Sequence, residues 1–163
     1  MRAHAMAIVL LAGLMASCGG KSDSNGGTSS PPAATGSGGS SSPAAATLPP
    51  DLDQGPRAAE GSIDESKAAL GEKLFQTKGC SACHAFGKRV SCPDLDGVTT
   101  CRTAKWIQSQ ILHPEVMTKQ DPTARQLFAQ FSLQMPNQGL TPDEAAQVLE
   151  FLKHKNHESA EHK

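Results

Sequence analysis

The first third of this 163-residue chain consists mostly of small and turn-forming residues, which confines any fold to the remaining two thirds. From Gly19 to Pro50, 28 of 32 residues are Gly, Ser, Ala, Pro or Thr. Such a segment cannot bury enough apolar surface to offset the entropy that it would lose on ordering. We therefore predict a disordered linker over residues 18–61, one folded domain over residues 62–157 and a polar tail over residues 158–163.

The residues available for a core are few. Hydrophobic residues make up 37% of the chain and aromatic residues only 4%, so a core built from side chains alone would be thin. Some other apolar group is therefore expected to help fill it. The formal net charge is −1, which argues against a nucleic-acid-binding protein because that class needs a basic patch.

Apolar residues at helical spacing predict four helical segments and no strand in the domain. The first segment begins at a capping box, Ser62 to Glu65, and runs to about Lys78. The chain is expected to fray from Asn156 onwards. The other three segments are placed at about Thr103 to Leu112, where Pro114 follows, after Asp121-Pro122, and after a second capping box at Thr141 to Glu144.

The motif with the clearest chemical meaning is Cys80-Ser81-Ala82-Cys83-His84, a C-x-x-C-H sequence. This is the attachment sequence of c-type haem. Two thiols at this spacing can reach the two vinyl groups on one side of the porphyrin and form thioethers. The adjacent imidazole then lies against the iron as an axial ligand. We therefore predict one covalent haem c, held by Cys80 and Cys83, with His84 bound to the iron.

Together with its surroundings, this motif resembles that of the class I, mono-haem cytochromes c. Gly71 and Phe75 stand where the family packs a glycine and an aromatic residue against its last helix, which here offers Phe151 or Leu152. The resemblance implies an all-α, cytochrome c-like fold with about four helices around one haem.

The same resemblance implies a hydrogen-bond partner for His84 and a second ligand of the haem iron. The segment Pro93-Asp94-Leu95-Asp96-Gly97 is similar to the family's G-P-x-L-x-G loop, in which the Pro93 carbonyl would accept the Nδ1–H of His84. Met135 stands where the family places its distal ligand, and its soft, neutral thioether would favour Fe(II). Met117, expected in a loop after Pro114, is the competing ligand.

Four more residues have roles that the resemblance leaves open. Arg102 and Trp106 stand where related cytochromes hydrogen-bond the haem propionates, and the alternatives are a surface charge and plain core packing. Cys92 and Cys101 are expected to form a disulfide in an exported protein, and the alternative is two free thiols. Cys92 also replaces the first glycine of the family's loop.

The amino terminus predicts export and lipidation. Arg2 precedes an apolar run from Ala5 to Ala16, which is too short to span a bilayer and is typical of a signal peptide over residues 1–17. Leu14-Met15-Ala16-Ser17-Cys18 resembles a bacterial lipobox, which implies that Cys18 becomes the first mature residue and carries lipid. The alternative is an ordinary signal peptide. We expect a membrane-anchored domain of the bacterial cell envelope, in the periplasm or at the cell surface.

The leading functional hypothesis is a one-electron carrier that is not an enzyme. With His84 and Met135 both bound, the iron has no open position for a substrate. We expect a monomeric domain that exchanges electrons with redox partner proteins of an electron-transport chain. A first alternative is a haem sensor or enzyme in which Met135 is displaced. A second alternative is a structural zinc site formed by four thiolates, those of Cys80, Cys83, Cys92 and Cys101.

Overall fold

The computed structural model describes residues 47–162. In this part of the chain the regular structure is helical, with no strand, and the predicted all-α class is confirmed. The signal peptide, Cys18 and the linker as far as residue 46 lie outside the described residues. The α-helices are α1 (Glu65–Thr77), α2 (Val98–Cys101), α3 (Ala104–Leu112), α4 (Pro114–Gln120), α5 (Pro122–Phe131) and α6 (Pro142–Glu161), with short 3₁₀ helices at Ala58–Glu60 and Cys80–Ala82.

The starts of α1 and α6 follow from their capping residues. The Asp64 carboxylate accepts the Lys67 N–H at 3.0 Å, so Asp64 caps α1 and the capping box predicted at Ser62 is wrong. At α6, the Thr141 hydroxyl accepts the Glu144 N–H and the Glu144 carboxylate accepts the Thr141 N–H, at 3.2 and 2.8 Å. The second predicted capping box is therefore confirmed.

Helices α1 and α6 cross in close contact at Gly71. A Cβ atom at this position would lie 2.0 Å from the Gln147 carbonyl oxygen, so only glycine allows the two backbones to approach this far. One turn further along α1, the Phe75 ring packs on Phe151, with ring centroids 5.3 Å apart. Both packing partners predicted on the last helix, Phe151 and Leu152, lie in the same buried cluster as Phe75.

Two helices were not predicted from the sequence. Helix α2 is a single turn, too short for an apolar period to be visible. Helix α4 begins at Pro114, which both ends α3 and occupies the first position of the next helix, where its fixed φ and missing N–H carry no penalty. As a result Met117 lies in a helix and not in the expected loop, and it is completely buried.

Ordered structure begins before the boundary expected at Gly61. Leu52 and Ala58 are each only 6% exposed. The Ala58 N–H donates to the Arg102 carbonyl at 2.9 Å, and the Thr103 hydroxyl donates to the Leu52 carbonyl at 2.7 Å. We call residues 48–60 the amino-terminal strap, because they lie along the junction of α2 and α3. Leucines, absent from the preceding low-complexity stretch, give the strap its apolar contacts.

The end of α6 is also ordered, contrary to the fraying expected from Asn156. The Asn156 side chain is buried, and its Oδ1 accepts the Thr99 N–H and hydroxyl at 3.0 and 2.9 Å. Its Nδ2 donates to the Leu95 carbonyl at 3.0 Å. Asn156 thus ties α6 to the loop that follows the C-x-x-C-H motif. Within residues 47–162, no helix has the length and apolar character needed to cross a membrane.

Candidate haem site

The C-x-x-C-H motif lies on a tight turn directly after α1. Gly79 has a φ of +80°, a left-handed conformation that redirects the chain at the helix end. Cys80 to Ala82 form one 3₁₀ turn, and the His84 N–H donates to the Cys80 carbonyl at 3.0 Å. The local fold therefore keeps the two cysteines and His84 on one compact turn.

The ring of His84 is oriented through one nitrogen. Its Nδ1 lies 2.9 Å from the Pro93 carbonyl oxygen, the contact that the family resemblance implies. Burial lowers the pKa of His84 because it disfavours the charged imidazolium, and the Pro93 carbonyl partly opposes this. Because a carbonyl oxygen can only accept a hydrogen bond, Nδ1 carries the proton of this contact. Nε2 then carries the lone pair that an iron ligand needs.

The loop that carries Pro93 is closed by its own hydrogen bonds. The Leu95 N–H donates to the Ala85 carbonyl at 3.0 Å. The Asp94 carboxylate accepts the N–H groups of Gly87 and Asp96, both at 2.9 Å. Sequence reasoning did not assign Asp94 this role, although an aspartate after proline is a known turn signal.

Cys92 is a free thiol in the structure, so the predicted disulfide with Cys101 is not formed. The fold instead brings Cys92 to Cys83, whose carbonyl accepts the Cys92 N–H at 3.2 Å. Burial raises the pKa of the Cys92 thiol, and the neighbouring Cys83 adds to the rise. The expected bridge assumed that nearness along the chain brings the two thiols together, whereas the closed loop turns Cys92 back towards the haem motif.

The cysteines of residues 47–162 do not form a metal-binding cluster. Burial also raises the pKa of Cys80, which keeps the thiol protonated at neutral pH. Within the described part of the chain, no three His, Cys, Asp or Glu side chains come together in an arrangement that could hold a metal ion. The alternative of a four-cysteine zinc site therefore has no structural support here.

The two methionines proposed as distal ligands lie in different surroundings. Met117 is completely buried and belongs to the apolar core with Trp106 and Ile107. Met135 is half-buried in the non-helical segment between α5 and α6, and its sulfur lies 3.7 Å from Gln110 Nε2, which donates to it. Gln110 was not singled out from the sequence, since a glutamine in a helix has no distinctive signal.

The two predicted propionate donors also differ. Trp106 Nε1 is buried and has no hydrogen-bond partner among residues 47–162. The Arg102 guanidinium, the other predicted donor, is already bound through Nη1 to Asp53 Oδ2 at 2.7 Å. A buried N–H without an acceptor is costly, and a haem carboxylate would satisfy it. The orphaned Trp106 N–H, the two thiols and the free Nε2 of His84 together fit a covalently bound haem.

The other histidines of residues 47–162 lie outside the C-x-x-C-H turn and the loop of Pro93. His113 is exposed at the junction of α3 and α4. His154 lies 2.9 Å from a Glu65 oxygen and 3.2 Å from a Glu158 oxygen, so it joins α6 to the start of α1. The side chains of His157 and His162 are exposed.

Comparison with known proteins agrees with this site. The family model described as cytochrome c matches residues 68–156, which is more than half of the chain. A cytochrome c from Rhodothermus marinus is 32% identical, with a TM-score of 0.58, and the match covers 62% of this chain and 95% of that one. An engineered cytochrome c from Rhodothermus marinus is 30% identical, with a TM-score of 0.57 over 61% and 95% of the two chains.

A further structure of that engineered protein, with a TM-score of 0.54, contains a bound carbene intermediate. A search of curated proteins gave no match. The matched segment includes the C-x-x-C-H turn, the loop of Pro93 and the α1–α6 crossing. The chain therefore belongs to the cytochrome c family, with a covalently bound c-type haem and an electron-transfer function.

Proposed function

We propose that the protein is a one-electron carrier whose haem iron is bound by His84 and Met135. The observation that carries the proposal is the contrast between the two methionines. Met117 is 0% exposed and forms part of the core, so its movement to an iron would open a cavity. Met135 lies in an irregular segment that can place its sulfur without disturbing a helix.

Each residue of the site has a distinct part in this proposal. When bound, the haem supplies the one-electron change between ferric and ferrous iron. Cys80 and Cys83 hold the group covalently, and Pro93 orients the His84 ring through the 2.9 Å contact at Nδ1. Gln110 donates to the Met135 sulfur and helps to orient the thioether. A thioether opposite an imidazole favours Fe(II) and raises the reduction potential.

The cellular setting is proposed from the sequence alone. The lipobox-like segment ending at Cys18 supports lipid attachment, and the following Gly- and Ser-rich stretch supports a flexible connection to the domain. We infer that the domain is tethered to a membrane of the bacterial envelope and meets larger redox proteins there. Replacing Cys18 by Ala should abolish metabolic labelling with fatty acid and release the protein from the membrane fraction. Labelling that persists in this variant would contradict the tether.

The ligand assignment is tested with a matched pair of methionine variants in the haem-loaded protein. Met135→Ala should remove the absorption band of the oxidised methionine–iron bond, lower the reduction potential and let the reduced iron bind CO. Met117→Ala should leave all three unchanged but lower the free energy of unfolding by about 2–5 kcal/mol, because it creates a core cavity.

Two other outcomes would redirect the proposal. If Met135→Ala keeps the band and Met117→Ala loses it, the ligand assignment is reversed. If the unaltered protein already binds CO readily, the distal position is open or labile. In that case a haem sensor or enzyme would be the better description, and the carrier function would be rejected.

A further inference from the structure

The amino-terminal strap places one carboxylate, that of Asp53, beside the candidate propionate donors Arg102 and Trp106. The function proposed above gives this carboxylate no role. Asp53 Oδ2 accepts the Arg102 guanidinium at 2.7 Å, and Asp53 Oδ1 accepts the Thr103 N–H at 3.0 Å. Oδ1 also lies 3.1 Å from Arg57 Nη1. The Asp53 and Arg102 side chains are 24% and 19% exposed, so this pair is shielded better than an ordinary surface ion pair.

Arg102 connects Asp53 to Trp106. The Arg102 guanidinium carbon lies 5.1 Å from the centroid of the Trp106 ring, within the range of a cation–π contact. The Trp106 N–H is the same buried donor that has no acceptor among residues 47–162. Three side chains therefore form a continuous series from the strap to the donor that fits a haem carboxylate.

Arg102 and Trp106 are therefore alternative hydrogen-bond donors to a haem carboxylate. Arg102 carries a charged, forked donor group, which a carboxylate binds more strongly than a neutral N–H. A free Arg102 beside the haem would therefore compete with Trp106 for the same carboxylate. In the structure the Asp53 carboxylate accepts from Nη1 of Arg102 and neutralises its charge, while the indole N–H has no acceptor among residues 47–162.

We propose that Asp53 is a positioning residue for the haem: it holds Arg102 on the Trp106 ring, so that Trp106 and not Arg102 meets the haem carboxylates. The proposal rests on haem binding by the family and does not depend on the ligation by Met135. It also makes the strap part of the redox site, because the strap supplies the charge that neutralises Arg102.

The reduction potential of the haem-loaded protein tests this role. Asp53→Asn should release Arg102 towards the haem carboxylates, and an added cation near the iron favours Fe(II). At a fixed ambient potential the ratio of reduced to oxidised protein should rise by up to roughly fifteenfold, as for one unit charge about 10 Å from the iron at an effective dielectric constant of about 20. The matched control is Asp51→Asn, the same change at an exposed position of the strap, which should shift the ratio much less because water screens it.

A double-variant cycle separates positioning from plain charge. In an Arg102→Gln background, Asp53→Asn should shift the ratio clearly less than it does in the unaltered protein, because only the loss of the carboxylate charge remains and no Arg102 guanidinium is released. Asp53→Glu keeps the charge and should restore most of the original potential. An equal effect of Asp53→Asn in both backgrounds would overturn the proposal.

A spectroscopic measurement gives a readout independent of redox behaviour. Trp106 is the only tryptophan in the chain, so the reduced holoprotein has a single indole N–H resonance. This resonance should exchange slowly with solvent in the unaltered protein. In Asp53→Asn its position should shift and its exchange accelerate. If Asp53→Asn folds poorly, Arg102→Gln alone decides. This change removes the competing donor, so exchange of the indole N–H should stay slow, and fast exchange in this variant would overturn the proposal.

Discussion

The α1–α6 crossing and the haem side of the domain are stabilised in different ways. The haem side consists of residues 80–97 and 132–141 together with Trp106 and Gln110. At the crossing, backbone meets backbone at Gly71 and the rings of Phe75 and Phe151 fill the space beside it. On the haem side, the non-helical loop of Pro93 is held by hydrogen bonds, among them those that the Asp94 carboxylate accepts. Two buried polar atoms there, Trp106 Nε1 and Gln110 Oε1, have no partner within residues 47–162.

This difference separates a scaffold from a binding site. The crossing completes its own contacts, so it needs nothing beyond the polypeptide. On the haem side, buried polar groups have no partner among residues 47–162 and a histidine nitrogen offers a lone pair. The unpaired groups cost free energy, and binding of the haem would offset this cost. We therefore expect the two regions to respond differently to loss of the haem and to substitution.

The largest effect should come from removing the haem. In a Cys80→Ala, Cys83→Ala variant the haem is no longer held covalently, and global stability should fall strongly because binding stabilises only the folded state. Hydrogen exchange should show the greatest remaining protection in α1 and α6 and little in residues 85–97 and 132–141. Uniform loss of protection across both regions would show that the crossing is not an independent scaffold.

The next largest effect is expected at the crossing itself. Gly71→Ala would place a Cβ 2.0 Å from the Gln147 carbonyl oxygen, so the two helices must separate. The gain in helix propensity of about 1 kcal/mol is smaller than this overpacking cost. We expect the free energy of unfolding to fall by about 2 kcal/mol or more in denaturant titrations.

The matched control for Gly71 is Ala69→Ser, a similarly small enlargement at an exposed position of the same helix. This variant should change stability by less than about 0.7 kcal/mol. Equal stability of Gly71→Ala and the unaltered protein would mean that the helices can move apart at no cost.

Asn156 joins the two regions and should have an intermediate effect. Asn156→Ala leaves the Thr99 N–H and hydroxyl and the Leu95 carbonyl without their partner. The expected loss is about 2 kcal/mol, since buried polar groups left unpaired carry a desolvation cost. Hydrogen exchange should increase mainly in the loop of Leu95 and in α2, and an increase confined to α6 would contradict the link.

The smallest effect on stability is expected at Gln110. Gln110→Leu removes a buried oxygen that has no partner in the described residues, so stability should change by less than about 1 kcal/mol. The same change removes the donor that lies 3.7 Å from the Met135 sulfur. The reduction potential should therefore fall, because a hydrogen bond to the sulfur withdraws electron density and favours Fe(II).

Gln110→Leu should thus lower the reduction potential with little change in stability. Gly71→Ala, by contrast, should lower the free energy of unfolding. Titration of the potential and denaturant unfolding of the same sample give both values. A large loss of stability with an unchanged potential would place Gln110 with the scaffold instead.

Features encoded within a few residues could be predicted from the sequence. The C-x-x-C-H motif, the capping box at Thr141 and the apolar period of α5 each depend on near neighbours, and the described structure contains all three elements. The Pro93 contact with His84 was accessible only through a family resemblance, because nine residues separate the two partners.

Errors arose where distant residues decide the outcome. The strap was assigned to the linker because it still contains Pro, Gly and Ala and has no helical period, but Leu52 and Asp53 find partners about fifty residues away at Thr103 and Arg102. Asn156 lies in a polar sequence and is ordered by Thr99. Cys92 was paired with Cys101 by nearness in sequence, and the loop brings it to Cys83 instead.

The sequence by itself determined the haem attachment, the helical class and the starts of α3, α5 and α6, because spacing, capping and periodicity act over a few bonds or a single turn. Only the tertiary structure decided which methionine is buried, which donor stays available and that the strap packs against the domain. Those outcomes depend on desolvation and close packing between segments far apart in the chain, and no local pattern records which segments will meet.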